Sequence, residues 1–211
     1  MTLPHWRWTD DPADLAAVVR RGGLLGIPTE SSYGLAADPA NDRGVQAIFR
    51  VKGRAGGEAL PVVVADLEQA IALGVDPGAP GLAAVAALWP APLSLVVPIA
   101  RALPASAGRS TLAIRIPDHE RLRALLRATG PLTATSANRS GEAPRLDPDS
   151  TARLLGAVDH RVIDDGVLPG GAPSTLVRWE RGRLRVLRPG RFPIERLPQG
   201  ATDPASGGGS S

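Results

Sequence analysis

Short apolar runs that are typical of strands alternate along this chain with segments that have helical spacing. Helices are predicted at 11–21, 43–51, 67–73, 81–88 and 120–128. Strands are predicted at 24–27, 60–64, 93–97, 111–116, 132–135, 162–164, 175–179 and 184–187, with a loop over 28–37. Some neighbouring strands are joined by helices and others by a hairpin turn. The alternation therefore predicts an α/β fold of the α+β type, with a twisted mixed β-sheet flanked by helices.

The length and the C-terminal composition predict one domain followed by a tail. A chain of 211 residues suits a single compact core. After Leu197 the chain consists mainly of Pro, Gly, Ser and Ala, which bury little apolar surface. We expect a catalytic domain over residues 1–197 and a disordered tail over 198–211.

Several classes of protein are disfavoured by composition. The chain has no Cys, which excludes disulfides and thiolate metal sites. Residues 1–20 lack the pattern of a secretion signal. The uncharged stretch 77–100 is longer than the roughly 20 residues of a spanning helix, but Pro90, Pro92 and Pro98 interrupt it. We expect a cytoplasmic protein with no membrane segment.

Lys52 is the only lysine among the 24 basic residues. Since the chain otherwise uses arginine, this lysine suggests a site that needs a compact ammonium rather than a planar guanidinium, unless it survived by chance. The predicted helix would place Lys52 just past its C-terminal end, in a solvent-facing loop.

Three polar segments follow predicted strands or helices, where ligand sites of open α/β sheets lie. Pro28–Leu35 carries hydroxyl groups and the only Tyr, although an ordinary capped turn would look similar. Lys52–Arg54 offers two cations for a polyphosphate, although many such pairs are solvated surface. Thr133–Gly141 is rich in small, hydroxyl and amide side chains suited to phosphate or solvated magnesium, or to a simple turn.

Taken together and in order, seven motifs between residues 15 and 190 resemble the YrdC family of threonylcarbamoyl-AMP synthases. They are Pro28–Leu35, Lys52–Arg54, Trp89–Leu93, Arg115–His119, Ser136–Asn138, Ser174–Thr175 and Leu187–Gly190. The resemblance implies a YrdC/RibB-like fold and the short, single-domain branch of the family. It also implies a nucleotidyltransferase that forms threonylcarbamoyl-AMP and pyrophosphate from L-threonine, bicarbonate or CO2, and ATP. A separate transferase complex would then pass the threonylcarbamoyl group to tRNA, forming threonylcarbamoyladenosine.

The resemblance also implies roles for individual residues. Lys52, Arg54, Ser136, Asn138 and Arg188 would hold the ATP phosphates and their Mg²⁺, the first four as catalytic residues, with Thr111 near the nucleotide. Arg115 would bind the threonine carboxylate, although without the resemblance it would be taken for a surface ion pair. Ser31, Tyr33, Ala134 and Ser174 would line the amino-acid pocket.

Mg²⁺ would arrive with ATP, so no dedicated metal site is expected. Positioning and charge neutralisation would carry most of the catalysis, because the carboxylated amine is already a nucleophile.

Three positions depart from the family pattern. Glu58 and Val63 stand where many relatives have Asn and His, and Pro173 stands where Glu often precedes the Ser-Thr pair. The first two changes leave the exact substrate less certain than the nucleotide chemistry.

Two other functions remain open. An Arg-rich chain could bind tRNA or double-stranded RNA as an RNA-binding or ribosome-maturation module without catalysis. The carbamoyl-transfer domain of hydrogenase maturation is related, but it normally sits inside a much longer protein.

Overall fold

A computed structural model describes residues 5–54 and 56–198 of the chain. The predicted disordered tail lies outside the described residues, apart from Pro198 at its start. In the described part, no helix is long and apolar enough to cross a membrane.

The predicted helices are all present, with ends that shift by a few residues. In chain order the helices are α1 Pro12–Arg20, α2 Asp42–Lys52, α3 Leu67–Ala72, α4 Leu82–Ala86, α5 Glu120–Thr129 and α6 Pro148–Leu155. The last of these was not predicted. Its N-terminal signal is nevertheless visible in the sequence, because Asp147 caps the helix and Pro148 occupies the first turn.

The strands divide between two mixed sheets. The smaller sheet has the order β7-β2-β1-β8 and the larger has the order β10-β9-β4-β5-β3-β6. Their bounds are β1 Leu24–Pro28, β2 Tyr33–Ala36, β3 Val62–Val63, β4 Leu93–Pro98, β5 Thr111–Arg115, β6 Leu132–Thr133, β7 Thr135–Ser136, β8 His160–Val162, β9 Thr175–Glu180 and β10 Arg183–Arg188. The mixed α/β class is therefore confirmed, with two sheets in place of one.

Two local predictions are corrected. Residues 28–37 are not one loop, because β2 pairs antiparallel with β1 around a short turn. Residues 132–135 are not one strand, because β6 pairs with β3 in the larger sheet while β7 pairs with β2 in the smaller. The chain therefore crosses between the sheets at Ala134.

Lys52 lies elsewhere than expected. It is the last residue of α2, and only 2% of it is exposed. Gly53 ends the helix with φ of 64°, a left-handed conformation that glycine adopts without steric cost. The prediction that Lys52 lies in a solvent-facing loop is therefore wrong, because the helix extends one residue further and turns the side chain inward.

One hydrophobic cluster holds both sheets together. It includes Leu24 and Leu35 from the smaller sheet and Leu93, Leu95 and Ile114 from the larger, all of them fully buried. The polar segments that follow these strands are thereby held against one another at a single cleft.

Candidate active site

A cleft of about 330 Å³ lies where the polar segments meet. Its walls come from the β1–β2 turn, the C-terminal end of α2, the ends of several strands and the crossing at Ala134. Its charged lining residues are Lys52, Arg54, Arg115, Arg188, Arg191, Glu30 and Glu58. Because cations exceed carboxylates and the site is concave, the cleft favours anionic ligands.

The Lys52 ammonium is held by the turn that follows β7. Its Nζ donates to the carbonyl oxygen of Ser136 at 2.7 Å, to the side-chain oxygen of Asn138 at 2.9 Å and to the Asn138 carbonyl at 3.3 Å. The Ser136 hydroxyl also donates to the Asn138 side chain, at 2.6 Å. Burial and the charge of Arg54 lower the pKa of Lys52 to about 8, although Glu58 opposes this shift.

Arg54 forms the outer rim of the same corner. Its Nε donates to the Ser140 hydroxyl and its Nη1 to Glu58, both at 2.6 Å. Glu58 is one of the departures from the family pattern, and the structure pairs it with Arg54 directly. Val63, another departure from the family pattern, is an apolar residue in the cleft wall.

Arg115 and Glu30 form a buried ion pair. The side chains are 10% and 12% exposed, and the Arg115 Nη1 donates to both carboxylate oxygens. The backbone N–H of Asp118 donates to Glu30 at 2.9 Å. Burial raises the pKa of Glu30, but the charge and hydrogen bonds of Arg115 outweigh this effect and hold the pKa below its ordinary value.

Ser174 connects Arg188 to the floor of the cleft. The Arg188 Nη2 donates to the Ser174 carbonyl at 2.9 Å, and the Ser174 and Ser94 hydroxyl oxygens are 2.9 Å apart. Burial, together with the charge of nearby Arg115, lowers the pKa of Arg188.

Most of the residues assigned from the sequence come together here. Lining residues among them are Ser31, Tyr33, Lys52, Arg54, Arg115, Ala134, Ser136, Ser174 and Arg188. Asn138 does not line the cleft, but its side-chain oxygen accepts hydrogen bonds from Lys52 and Ser136. Thr111 also lies outside the lining, at the opposite end of β5 from Arg115.

Tyr33 lines the cleft, but its hydroxyl is used elsewhere. The residue is fully buried, and its hydroxyl donates to the Gly166 carbonyl while accepting from the Asp165 N–H. Burial raises the pKa of Tyr33 to about 12. The hydroxyl therefore anchors the loop after β8 and stays protonated at neutral pH.

The cleft residues that were not assigned from the sequence include Glu30, Ser94 and Arg191. Glu30 lies inside a motif that was recognised, but its partner is 85 positions away. Ser94 is a single hydroxyl within an apolar strand, and Arg191 is one arginine among many. No local pattern distinguishes any of them.

Comparisons with known proteins place this chain in a family. The Sua5/YciO/YrdC family model, described as "Telomere recombination", matches residues 17–190. The threonylcarbamoyl-AMP synthase of Chromohalobacter salexigens is 38% identical over 183 residues, which cover 82% of this chain and 95% of that protein. The enzyme of the same name from Thiobacillus denitrificans is 37% identical over 174 residues, which cover 81% of this chain and 92% of that protein.

Solved structures share the fold. Pyrococcus abyssi Sua5 complexed with L-threonine aligns with a TM-score of 0.78 at 31% identity, covering 90% of this chain and 57% of that one. This chain therefore spans only about half the length of the Pyrococcus protein. Escherichia coli YciO has a TM-score of 0.73 at 24% identity, covering 87% and 91%. Full-length HypF has a TM-score of 0.71 at 17% identity, and the alignment covers 87% of this chain and 29% of HypF. This likeness shows the fold alone.

Proposed function

We infer that this chain, which belongs to the Sua5/YciO/YrdC family, is an L-threonylcarbamoyladenylate synthase. It is a nucleotidyltransferase that joins L-threonine, bicarbonate or CO2, and ATP into threonylcarbamoyl-AMP, with release of pyrophosphate. The observation that carries this inference is the charge of the cleft, which has five cationic side chains and two carboxylates. Both carboxylates are already paired with arginines. The remaining positive charge suits a triphosphate and an amino-acid carboxylate.

The cations divide between two ends of the cleft. Lys52 and Arg54, together with the Ser136–Asn138 turn, form a corner suited to the ATP phosphates. Arg188, the last residue of β10, also binds the phosphates in this proposal. Mg²⁺ enters with ATP as part of the substrate, held by phosphate oxygens.

The amino-acid end is built around Arg115. Its guanidinium binds the threonine carboxylate, while Ser31, Ala134 and Ser174 line the pocket. Carboxylation of the amine gives an anionic oxygen nucleophile, which attacks the α-phosphorus and displaces pyrophosphate. Lys52, Arg54 and Arg188 stabilise the charge on the leaving group, so positioning and electrostatics supply most of the catalysis.

The product is consumed by a separate threonylcarbamoyl transferase complex that modifies tRNA, and we propose that the chain works in the cytoplasm. A concave cleft with convergent cations supports catalysis better than RNA binding alone, which would need an extended basic surface. This comparison favours the enzyme over the RNA-binding alternative.

Pyrophosphate release tests the function. The chain is incubated with ATP and Mg²⁺, with and without L-threonine and bicarbonate, and both pyrophosphate and the adenylate are measured. We expect release only when threonine and bicarbonate are both present. Equal release without threonine would contradict the substrate assignment, and RNA binding without any release would favour the alternative.

A further inference from the structure

Glu30 occupies only one nitrogen of the Arg115 guanidinium. Both carboxylate oxygens lie 2.5 Å from Nη1, and the Asp118 N–H also donates to Oε1 of the carboxylate. The arginine is therefore held firmly, yet its other nitrogens take no part in the pair.

The free edge of Arg115 consists of Nε and Nη2. Among the described residues, neither atom donates to a protein acceptor, whereas every fully buried side-chain nitrogen or oxygen does have a partner. These two nitrogens are therefore accessible, and Arg115 lines the cleft. Nε and Nη2 form a planar fork that matches a carboxylate through two parallel hydrogen bonds.

We propose that Glu30 is a positioning residue, which holds Arg115 by Nη1 so that the Nε–Nη2 edge faces the carboxylate of the amino-acid substrate. Glu30 also prevents Arg115 from taking a second substrate anion, such as a phosphate, at Nη1. This proposal rests on the proposed function, because it assumes an amino-acid substrate in the cleft.

The charge balance of the cleft supports this role. Arg115 and Arg188 are close enough that the charge of Arg115 contributes to lowering the pKa of Arg188. Two neighbouring arginines repel each other, and a carboxylate beside them adds an attraction of opposite sign. The Glu30 carboxylate offsets this repulsion and keeps Arg115 in its place.

Glu30→Gln tests the proposal, because it keeps the size of the side chain and removes its charge. We expect the KM and the calorimetric Kd for L-threonine to rise at least about tenfold, while the KM for ATP changes less than about twofold. The matched control is Glu180→Gln, which removes a carboxylate paired with Arg185 and Arg178 outside the cleft. That variant should leave both KM values unchanged.

Other results would overturn the proposal. An unchanged threonine KM in Glu30→Gln, or an equal rise of both KM values, would show that Glu30 does not orient Arg115 toward the amino acid. If Glu30→Gln does not fold, Glu30→Asp keeps the charge on a shorter side chain and should still raise only the threonine KM. Failure of both variants to fold would make the pair purely structural and would contradict the proposal.

The wild-type chain separates the two hypotheses. Pyrophosphate release that does not depend on threonine would defeat the proposed function and the role of Glu30 with it. Threonine-dependent release in the wild type, combined with a normal threonine KM in Glu30→Gln, would defeat only the role of Glu30.

Discussion

Lys52 is the only lysine of the chain, and three oxygen atoms surround its ammonium group. An ammonium has three N–H donors, so in this state the Ser136–Asn138 turn uses all of them. The lysine thus joins α2 to the turn that follows β7. Contact with an ATP phosphate would require the ammonium to exchange at least one of these acceptors.

We predict that Lys52→Arg lowers turnover on the order of a hundredfold, because a wider guanidinium would displace the phosphates or the turn by about 1 Å. The side chain is buried, so the free energy of unfolding should also fall, by about 1–3 kcal/mol for an overpacked site. Turnover and melting temperature are measured together. Arg50→Lys, at an exposed position in the same helix, is the control and should change neither. Wild-type turnover in Lys52→Arg would mean that the ammonium is not required.

The lowered pKa of Lys52 predicts opposite effects of pH on activity and stability. Activity that needs the charged ammonium should fall as pH rises through about 8. Between that pH and the ordinary pKa of 10.5, the unfolded chain binds more protons than the folded one, so this residue makes unfolding less favourable as pH rises. Activity and denaturant unfolding are measured from pH 7 to about 10 beside Lys52→Arg, which cannot deprotonate. The same pH profile in both proteins would exclude Lys52 as the titrating group.

At the scale of elements, Arg188 ends β10 beside the start of β9, and the turn after β10 packs against the segment that leads into β9. A Cβ on Gly190 would fall on the carbonyl oxygen of Pro173 and lie 2.6 Å from the Ser174 carbon and the Thr175 nitrogen. The close approach of these backbone segments requires glycine. Arg188, two residues before Gly190, donates to the Ser174 carbonyl in the same segment.

We therefore predict that Gly190→Ala lowers the free energy of unfolding by about 1–3 kcal/mol and raises the KM for ATP, because the turn must move and carry Arg188 with it. Gly78→Ala is the control, since the nearest atom to an added Cβ there is 3.4 Å away. Its free energy of unfolding should stay within about 0.5 kcal/mol of the wild-type value. Denaturant unfolding and ATP kinetics are measured for both. If Gly190→Ala is destabilised but its KM for ATP is unchanged, the turn does not affect nucleotide binding and the prediction is wrong.

At the scale of the whole molecule, Leu197 is the last core residue in the part of the chain that the structure describes. Leu197 is 7% exposed and belongs to the same hydrophobic cluster as Phe192, and Ile194 packs against that cluster. The proposed domain boundary after Leu197 therefore keeps every core residue of this segment on the domain side.

Removal of residues 198–211 should leave turnover nearly unchanged, because that sequence has almost no apolar residue to dock. Removal of residues 194–211 should lower the free energy of unfolding by about 2–4 kcal/mol, since it also deletes Ile194 and buried Leu197. Both truncated chains are compared with the full chain in turnover and thermal unfolding. A loss of more than about tenfold in turnover for the shorter deletion would show that residues 198–211 act at the site.

Hydrophobic spacing and motif order by themselves predicted most of the helices and strands, the family, and several of the residues that line the cleft. The spacing predicts most helices and strands because the hydrophobic period, about 3.6 residues for a helix and 2 for a strand, can be read within a short stretch of sequence. The order of the motifs predicts the family, and nine of the eleven residues assigned from it line one cleft.

Only the tertiary structure decided how those residues are paired and buried. The division of 132–135 between two sheets, the burial of Lys52, and the Glu30–Arg115 pair all depend on partners far along the chain. The position of a charged or hydroxyl side chain in the sequence does not indicate its partner. Hydrogen bonds form between whichever groups the packed core brings within about 3 Å of each other. The hydrophobic periods of helices and strands are thus local properties of the sequence, whereas the pairing of the strands and the arrangement of the cleft follow from the packing of two sheets on one core.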